Sequence, residues 1–424
     1  MADMTLESRM QRFRERGLKW ALAPAALAIL YIFFGIFGRS YFSYPTFVNI
    51  IDAAFYIGFI SMGVTFVIIS GGIDLSIGTV MMCATLVGGT ALKSWHWPMV
   101  PSLLLIIVVG LAFGFVNGLL VSRLKMPPFI VTLGTMMISM GVGSIVSNVQ
   151  SATFPIRGSP GGWFKDIFLY LTPDGNAFPT GAFLLAAVAV ICHIILSNTR
   201  LGRYTYAIGS NLEAARLSGV DVKKWQMLVY VIAGGTAGIG GISYAAIYTT
   251  VLPAGGQGFE LYAIAAAVIG GTSLAGGIGT IWGTIIGVFI MSVLATGLPS
   301  LNLEAHWQTF FTGVIVIGAV LLDMYRNRKA AEVKIDTAAD RYRASMQEKI
   351  AAMKRELSSG GSASDGHRFS ELRAQIAAAQ DELKATYVKM KSEEKAEQAR
   401  IRAEERAADH AFAEIGKREE RKDS

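Results

Sequence analysis

Ten apolar runs of about 15 to 24 residues fill the first three quarters of this chain. An α-helix needs about 20 apolar residues to cross the hydrocarbon core of a bilayer. Because lipid offers no partner for backbone N–H and C=O groups, a spanning segment must bond them internally. We therefore predict an all-α, polytopic membrane protein of about ten transmembrane helices. The predicted spans are residues 18–37, 49–69, 79–93, 99–122, 129–148, 179–197, 225–246, 259–275, 280–297 and 307–323.

Charge is divided unevenly along the chain. Only 28 of the first 323 residues are charged, against 41 of the last 101. The first part is therefore suited to lipid and the second to water. We predict a basic cytoplasmic N-terminus over 1–17, a transmembrane domain over 18–323 and a charged, cytoplasmic helical tail over 324–424. The net charge of +7 lies in short loops and at the termini, so no nucleic-acid partner is predicted.

The basic residues in the loops orient the predicted helices. Lysine and arginine accumulate on the cytoplasmic side of membrane proteins. With the N-terminus inside, the loops after the fourth and sixth helices and the chain after the tenth fall on that side, which places both termini in the cytoplasm. Their basic residues are Arg123, Lys125, Arg200, Arg203, Arg216, Lys223, Lys224, Arg326, Arg328 and Lys329. The longest opposite segment, 150–178, is expected to form a short interfacial helix around Trp163–Leu171.

Two glycine-rich breaks adjoin unusually short spans. Residues 71–78 read GGIDLSIG and residues 270–277 read GGTSLAGG, so both match GGxxLxxG. Irregular backbone at membrane depth must be buried in protein or line a wet cavity, and paired interruptions are typical of a transport path. Tight loops and small residues for helix packing explain the same glycines equally well.

Few polar residues lie near membrane depth, and each has two interpretations. The acidic ones are Asp52, Asp74, Glu260 and Asp323, and charge there is costly enough to suggest a role. Asp74 can accept bonds from substrate hydroxyls, or it can cap the helix that starts near Ser76. Glu260 can line the path or compensate a helix dipole. The predicted path residues are Asp74, Ser76, Asn117, Glu260 and Ser273.

The cytoplasmic loop 198–220 contains a predicted short helix. Asn211 can cap a helix through Leu217, with Glu213 in its first turn and Gly219 as its stop. A capped helix between two membrane spans suits docking to another protein. An ordinary structured loop is the alternative.

Four separated segments closely resemble the permease subunit of bacterial ribose-type (monosaccharide) ABC importers. They are GGIDLSIG at 71–78, NTRLGRY at 198–204, NLEAARLSGV at 211–220 and AIAAAVIGGTSLAGG at 263–277. The resemblance covers about residues 18–323, in the family's order and spacing. It implies the translocation subunit of an ATP-driven, binding-protein-dependent sugar importer in the bacterial cytoplasmic (inner) membrane, and it leaves the sugar open.

The same resemblance implies partners and a coupling site. The implied partners are a cytoplasmic ABC ATPase that binds ATP and Mg, an extracytoplasmic sugar-binding protein, and a second permease chain, either an identical copy or a paralogue. The coupling loop would seat in the ATPase. The predicted coupling residues are Asn211, Glu213, Ala214, Ala215, Arg216 and Gly219.

Motifs for chemistry are missing from the sequence. It contains neither GxxxxGK[ST] nor GxSxG, and its five histidines are scattered. Cys83 and Cys192 lie inside apolar runs, where they are interpreted as small buried residues. We therefore predict that the chain is not an enzyme and binds no cofactor or metal of its own. The alternatives to the importer are an ion-coupled secondary transporter of small polar solutes using Asp74 and Glu260, or a membrane scaffold that acts through the tail.

The tail lies beyond the family's pattern, which ends near residue 330. Residues 333–357 and 368–415 are predicted helices, joined by a linker over 358–366. Apolar residues from Leu372 to Met390 follow the 4-3 spacing of a coiled-coil seam. A helical hairpin or coiled coil with an unknown partner for 330–424 is predicted, and a charged helical tail without a partner is the alternative.

Overall fold

The computed structural model describes residues 23–331, 338–359 and 366–420. The chain forms two compact units, which divide between Arg328 and Lys329. The helices are α1 (Ala23–Phe37), α2 (Tyr44–Ile69), α3 (Ile77–Lys93), α4 (Met99–Ser122), α5 (Pro128–Val146), α6 (Gly181–Asn198), α7 (Arg200–Ser210), α8 (Leu212–Leu217), α9 (Val222–Tyr248), α10 (Phe259–Ile269), α11 (Ile281–Ser300), α12 (Ala305–Ala331), α13 (Ala338–Ser359) and α14 (Gly366–Glu420).

Each of the ten predicted spans overlaps a helix, and residues 18–22 of the first span lie outside the described residues. Among the described residues, six helices are long and apolar enough to cross a membrane, namely α2, α4, α5, α6, α9 and α11, and four shorter apolar helices lie at the other positions. The largest differences from the predicted boundaries are at three helix ends. α2 begins at Tyr44 rather than 49. α10 ends at Ile269 rather than 275, because Gly270 and Gly271 follow and Gly271 has a φ of +95°. α12 continues past residue 323 to Ala331.

Helix α2 forms the centre of the first unit. In its most apolar stretch, 94% of the residues are buried, against 28% in α6. It packs against α6, α9, α10 and α11, and the hydroxyls of Thr65 on α2 and Thr284 on α11 are 2.7 Å apart. The two cysteines, Cys83 on α3 and Cys192 on α6, are both buried. The outer helices present their apolar side chains outward, as a membrane protein requires.

Helices α4 and α9 touch through glycines. A Cβ atom on Gly114 of α4 would lie 3.0 Å from the Cα atom of Gly234 on α9, and one on Gly110 would lie 3.0 Å from the backbone nitrogen of Gly238. Small residues four apart let two backbones approach closely, and dispersion forces then hold the helices together in lipid. These glycines are therefore explained by packing.

The segment 150–178 is more compact than the predicted interfacial helix. A 3₁₀ helix covers Gly162–Ile167, so the prediction of a helix reaching Leu171 is wrong at its end. The chain instead forms β2 (Tyr170–Leu171), which pairs antiparallel with β3 (Ala177–Phe178). The Thr172–Gly175 turn between them, TPDG, has the residue types that close a hairpin. A second pair joins β1 (Ala152–Thr153) to β4 (Thr250–Val251).

A lysine anchors this segment to the end of α9. Lys165 is 5% exposed, and its amine donates to the backbone oxygen of Ala246 at 3.1 Å and to the hydroxyl of Thr249. Burial, with the nearby charge of Arg157, lowers the pKa of Lys165 from 10.5 to about 8.

The stability of the wild-type protein is expected to rise relative to Lys165→Met between about pH 8 and about pH 10. In that range the unfolded lysine still holds a proton that the folded amine has lost, and stability rises with pH wherever the unfolded state binds more protons. The lowered pKa corresponds to roughly 2 kcal/mol over this range. Apparent Tm values of both proteins in detergent, measured across the range, test this. If the Tm values of the two proteins changed with pH in parallel, the expected gain in stability would be contradicted.

The second unit is a helical hairpin. Ala339 on α13 donates its N–H to Glu394 on α14 at 3.0 Å, and Arg343 lies over the ring of Tyr387 at 5.1 Å. Residue numbers rise on one helix as they fall on the other, so the helices run antiparallel.

The hairpin buries apolar residues from both helices, and one of them, Ile376, belongs to the predicted seam. Met346, Ile350 and Ile376 are each at most 8% exposed. Helix α14 extends further than the predicted 368–415, whereas 333–337 and most of the predicted linker, 360–365, lie outside the described residues. The predicted hairpin is confirmed, and a coiled coil or a partner stays a prediction.

Candidate functional site

The first glycine break connects α2 to α3. Gly71 has a φ of +82°, and its N–H bonds the carbonyl oxygen of Ile68 at 2.9 Å, which ends α2. One carboxylate oxygen of Asp74 accepts bonds from the backbone N–H and the hydroxyl of Ser76 at 2.8 and 2.6 Å. Since Ser76 directly precedes α3, these bonds fix the backbone where that helix begins. The N-cap residue of α3 is Ser76 itself, and Asp74 holds that residue rather than standing in its place. The capping role of Asp74 and its contact with a substrate both stay predictions.

A chain of buried hydrogen bonds continues from this break into two neighbouring helices. The amide of Asn117 on α4 donates to the hydroxyl of Ser76 at 2.9 Å and accepts from the hydroxyl of Thr135 on α5 at 2.6 Å. One turn further on, Ser139 of α5 donates to Thr79 of α3 at 2.8 Å. Three helices are thus joined to the first break by polar side chains that lipid could not satisfy.

The second break meets the first through backbone atoms. The N–H of Gly277 donates to the carbonyl oxygen of Ile69, the last residue of α2, at 2.9 Å. Gly209, near the end of α7, contacts the backbone of both breaks. A Cβ atom on Gly209 would overlap the Ile69 oxygen and lie 2.6 Å from the nitrogen of Gly277. A Cβ on Gly276 would lie 2.7 Å from the oxygen of Gly209. Ile69, Gly209, Gly276 and Gly277 are called the glycine junction below.

Helix α7 was not predicted from the sequence. It starts after Thr199, whose hydroxyl accepts the N–H of Gly202 at 3.5 Å. It buries Gly202, Thr205 and Ile208, three residues apart, and Tyr206 donates to the backbone oxygen of Gly279 at 2.6 Å. The capping threonine and this spacing were the available signals, but two glycines in eleven residues argue against a helix.

Helix α8 confirms the predicted capped helix. The side chain of Asn211 accepts the N–H of Ala214 at 2.9 Å. Glu213 lies in the first turn, and Gly219 has a φ of +82° just past the end. The sequence therefore specified this element through its caps alone. Ala215 is buried, whereas Leu217 is 83% exposed.

The remaining predicted path residues lie in two places. Glu260, in the first turn of α10, accepts the N–H of Gly258 with both carboxylate oxygens, at 2.9 and 3.0 Å, and is near enough to Asp74 to interact with it electrostatically. Ser273 lies in the second break, where its hydroxyl accepts the N–H of Ala275 at 3.2 Å. The structure therefore groups Asp74, Ser76, Asn117 and Glu260, whereas Ser273 belongs to the other break.

Within the described ranges, no three His, Cys, Asp or Glu side chains are grouped so that they could hold a metal ion. The polar groups instead lie at two breaks inside an apolar helical bundle. This arrangement defines a membrane transport protein of the permease class. The chain belongs to the family described as "Branched-chain amino acid transport system / permease component", whose model matches residues 46–320.

Several relatives are similar over most of their length. The fructose import permease FrcC of Rhizobium meliloti is 31% identical, over 78% of this chain and 91% of its own. The ribose import permease RbsC of Bacillus subtilis is 33% identical over 76% and 98%, and that of Escherichia coli K12 is 34% identical over 70% and 91%. No solved structure is significantly similar. The relatives and the six apolar helices indicate an integral inner-membrane protein.

The resemblance drawn from the four sequence segments is therefore confirmed. The chain is a translocation subunit, and neither the ion-coupled transporter nor the scaffold is favoured by these relatives.

Proposed function

We propose that this chain imports a sugar with the help of a separate ATPase, which docks on the 198–220 segment. The observation that carries the proposal is the glycine junction, because it joins the segment beside α8 to both breaks of the membrane domain. A displacement of α7 would reach the end of α2 and the 270–280 loop through direct backbone contact. No flexible side chain lies between them to absorb the movement.

The exposure of α8 supports docking at this helix. Leu212 and Leu217 are 42% and 83% exposed, and Glu213 pairs with Arg216 at 2.9 Å on the surface. An exposed ion pair contributes little to stability, so these charges are free to act in recognition. These two charges are presented by α8. Its structure depends on the other predicted coupling residues, which are Asn211, Ala214, Ala215 and Gly219.

The sugar substrate and the remaining partners are inferred from the relatives. Fructose, ribose, D-allose and xylose appear in the names of four of them. We infer a monosaccharide for this chain, delivered by an extracytoplasmic binding protein. The other expected partners are an ABC ATPase, which holds ATP and Mg, and a second permease chain. The chain itself would need no cofactor and would catalyse no reaction.

Glu213→Lys is expected to uncouple the importer. Reversing this charge sets a positive side chain against Arg216 and against whatever basic group faces position 213 on the ATPase, and like charges at an interface cost several kcal/mol. Uptake and stimulated ATP hydrolysis by the reconstituted complex should both fall at least about tenfold, while the yield of membrane-inserted protein is retained.

Glu304→Lys is the matched control, since Glu304 is an exposed glutamate in the loop between α11 and α12, with 78% of its side chain accessible. It should transport like the wild type. Normal uptake in Glu213→Lys would refute docking at α8. Uptake driven by an ion gradient in vesicles without ATP would refute the ATP-driven importer as a whole.

A further inference from the structure

Asp52 is a buried carboxylate that the fold does not satisfy. It lies on α2, is 8% exposed, and its Oδ1 atom has no hydrogen-bond partner among the described residues. A buried polar atom left without a hydrogen bond costs about 1–3 kcal/mol, and more when the group is charged. Ionisable groups kept within membrane helices at such a cost commonly serve a ligand or an ion.

Aromatic rings from two helices, α9 and α10, pack around the next turn of α2. Tyr56, one turn after Asp52, packs with ring centroids 5.5 Å from Tyr244 and 5.9 Å from Tyr248 on α9, and 5.3 Å from Phe259 on α10. Tyr248 is near enough to both Tyr56 and Asp52 to interact with them electrostatically. The Asp52 cluster, as it is called below, consists of Asp52, Tyr56, Tyr244, Tyr248, Phe259 and Tyr262.

The cluster extends from the interior to accessible surface. Tyr56 is 6% exposed, whereas Tyr248 is 47% exposed. A solute could therefore reach the tyrosine hydroxyls from outside and approach the carboxylate behind them. Arg157 of the 150–178 segment is close enough to Asp52 to act on it electrostatically, so the cluster lies towards that segment.

The cluster is also continuous with the first break. Phe259 belongs to the cluster, and the next residue, Glu260, interacts electrostatically with Asp74. Asp52 and the glycine junction at Ile69 are 17 positions apart on one helix, which corresponds to roughly 26 Å. The cluster and the junction therefore lie far apart along α2.

We propose that the Asp52 cluster is the site where the translocated solute first contacts this chain, and that it takes a ring-shaped, polyhydroxylated solute. The inference rests on the proposed import of a sugar and assigns the contact residues. Aromatic faces cover the apolar C–H face of a sugar ring, tyrosine hydroxyls both donate and accept, and an ionised carboxylate accepts strong bonds from hydroxyl groups. A small number of these contacts is sufficient, because a translocation path must bind its solute weakly enough to release it.

An amino acid fits the cluster less well than a sugar does. Its ammonium group could pair with Asp52 and lie over the rings, but its carboxylate would be repelled by Asp52. Arg157 is the cation that acts on Asp52, and a second carboxylate from the solute would compete with Asp52 for it.

The test uses the complete importer, with ATPase and binding protein, in proteoliposomes. In Asp52→Asn, uptake of the transported sugar per ATP hydrolysed is expected to fall at least about tenfold, because the amide lacks the negative charge and one of the two acceptor oxygens that would bond the solute hydroxyls. Asp174→Asn, an exposed carboxylate in the β2–β3 turn, is the matched control and should transport like the wild type. Tyr248→Phe should lower uptake about threefold and shift the preference between a sugar and its deoxy analogue.

Equal transport by Asp52→Asn and Asp174→Asn would overturn the assignment. If Asp52→Asn does not fold, Tyr248→Phe decides: unchanged uptake and unchanged preference overturn it. Failure of the proposed function is visible separately in the wild type, as ATP-dependent uptake of leucine but not of ribose, fructose, xylose or allose. Failure of the site assignment appears only in the variants.

Discussion

Gly209→Ala is expected to abolish ATP-driven transport, or to reduce it at least about tenfold. A Cβ atom at this position would overlap the carbonyl oxygen of Ile69 and lie 2.6 Å from the nitrogen of Gly277. Both are backbone atoms, so no side chain can rotate away and the junction itself must open. Alanine would otherwise favour the helix by about 1 kcal/mol, but overpacking of a close contact typically costs about 1–3 kcal/mol. The cost of the clash therefore exceeds the gain in helix propensity, and the substitution is expected to be unfavourable.

Gly134→Ala provides the matched control for this prediction. Gly134 lies within α5, and a Cβ atom there would meet no heavy atom within 4 Å. The variant should transport normally and be as stable as the wild type or slightly more so. Uptake and ATP hydrolysis by the two variants in proteoliposomes measure the difference. Wild-type uptake by Gly209→Ala would show that the glycine junction does not transmit the movement of α7.

Asp74→Ala is expected to lower the yield of folded protein more than the uptake per folded molecule. The N–H and the hydroxyl of Ser76 would lose their shared acceptor, and the hydrogen-bond chain to Asn117 would lose its anchor. Hydrogen bonds to a charged group contribute about 1.5–3 kcal/mol each. The loss of two is a large part of the stability of an ordinary domain. Size-exclusion yield, apparent Tm and uptake per folded molecule are measured together.

Asp74→Asn separates the two roles of this side chain. Its amide oxygen can still accept the bonds from Ser76, so it should recover most of the yield. Asp174→Ala, an exposed aspartate, is the control for expression. A normal yield and Tm in Asp74→Ala, combined with lost uptake, would contradict the capping role and favour contact with the substrate.

The sequence predicts the local elements of this fold well, because each is specified by nearby residues. The spanning helices follow from the length and polarity of the apolar runs. Helix α8 follows from Asn211 at one end and Gly219 at the other. Both glycine breaks are also visible in the sequence, since helices end where Gly71 and Gly271 adopt positive φ.

The contacts between these elements could not be predicted. That Gly209 meets both breaks depends on packing between residues more than 60 positions apart, and a single glycine carries no sign of what its backbone touches. Asn117 is recognisable as a polar residue within a span, but its bonds to Ser76 and Thr135 are not. Asp52 has no distinguishing neighbour in the sequence, because the rings of Tyr244, Tyr248 and Phe259 come from α9 and α10 and pack against Tyr56, one turn away.

The burial of the two cysteines makes the unmodified chain a suitable background for thiol labelling. Cys83 is 3% exposed and Cys192 is 4% exposed, and a maleimide needs an accessible thiolate. A single cysteine introduced in place of Asp174 or Arg216, both exposed, would then give nearly all of the signal. Added to sealed vesicles, a reagent that cannot cross the bilayer would label one of these two positions and spare the other.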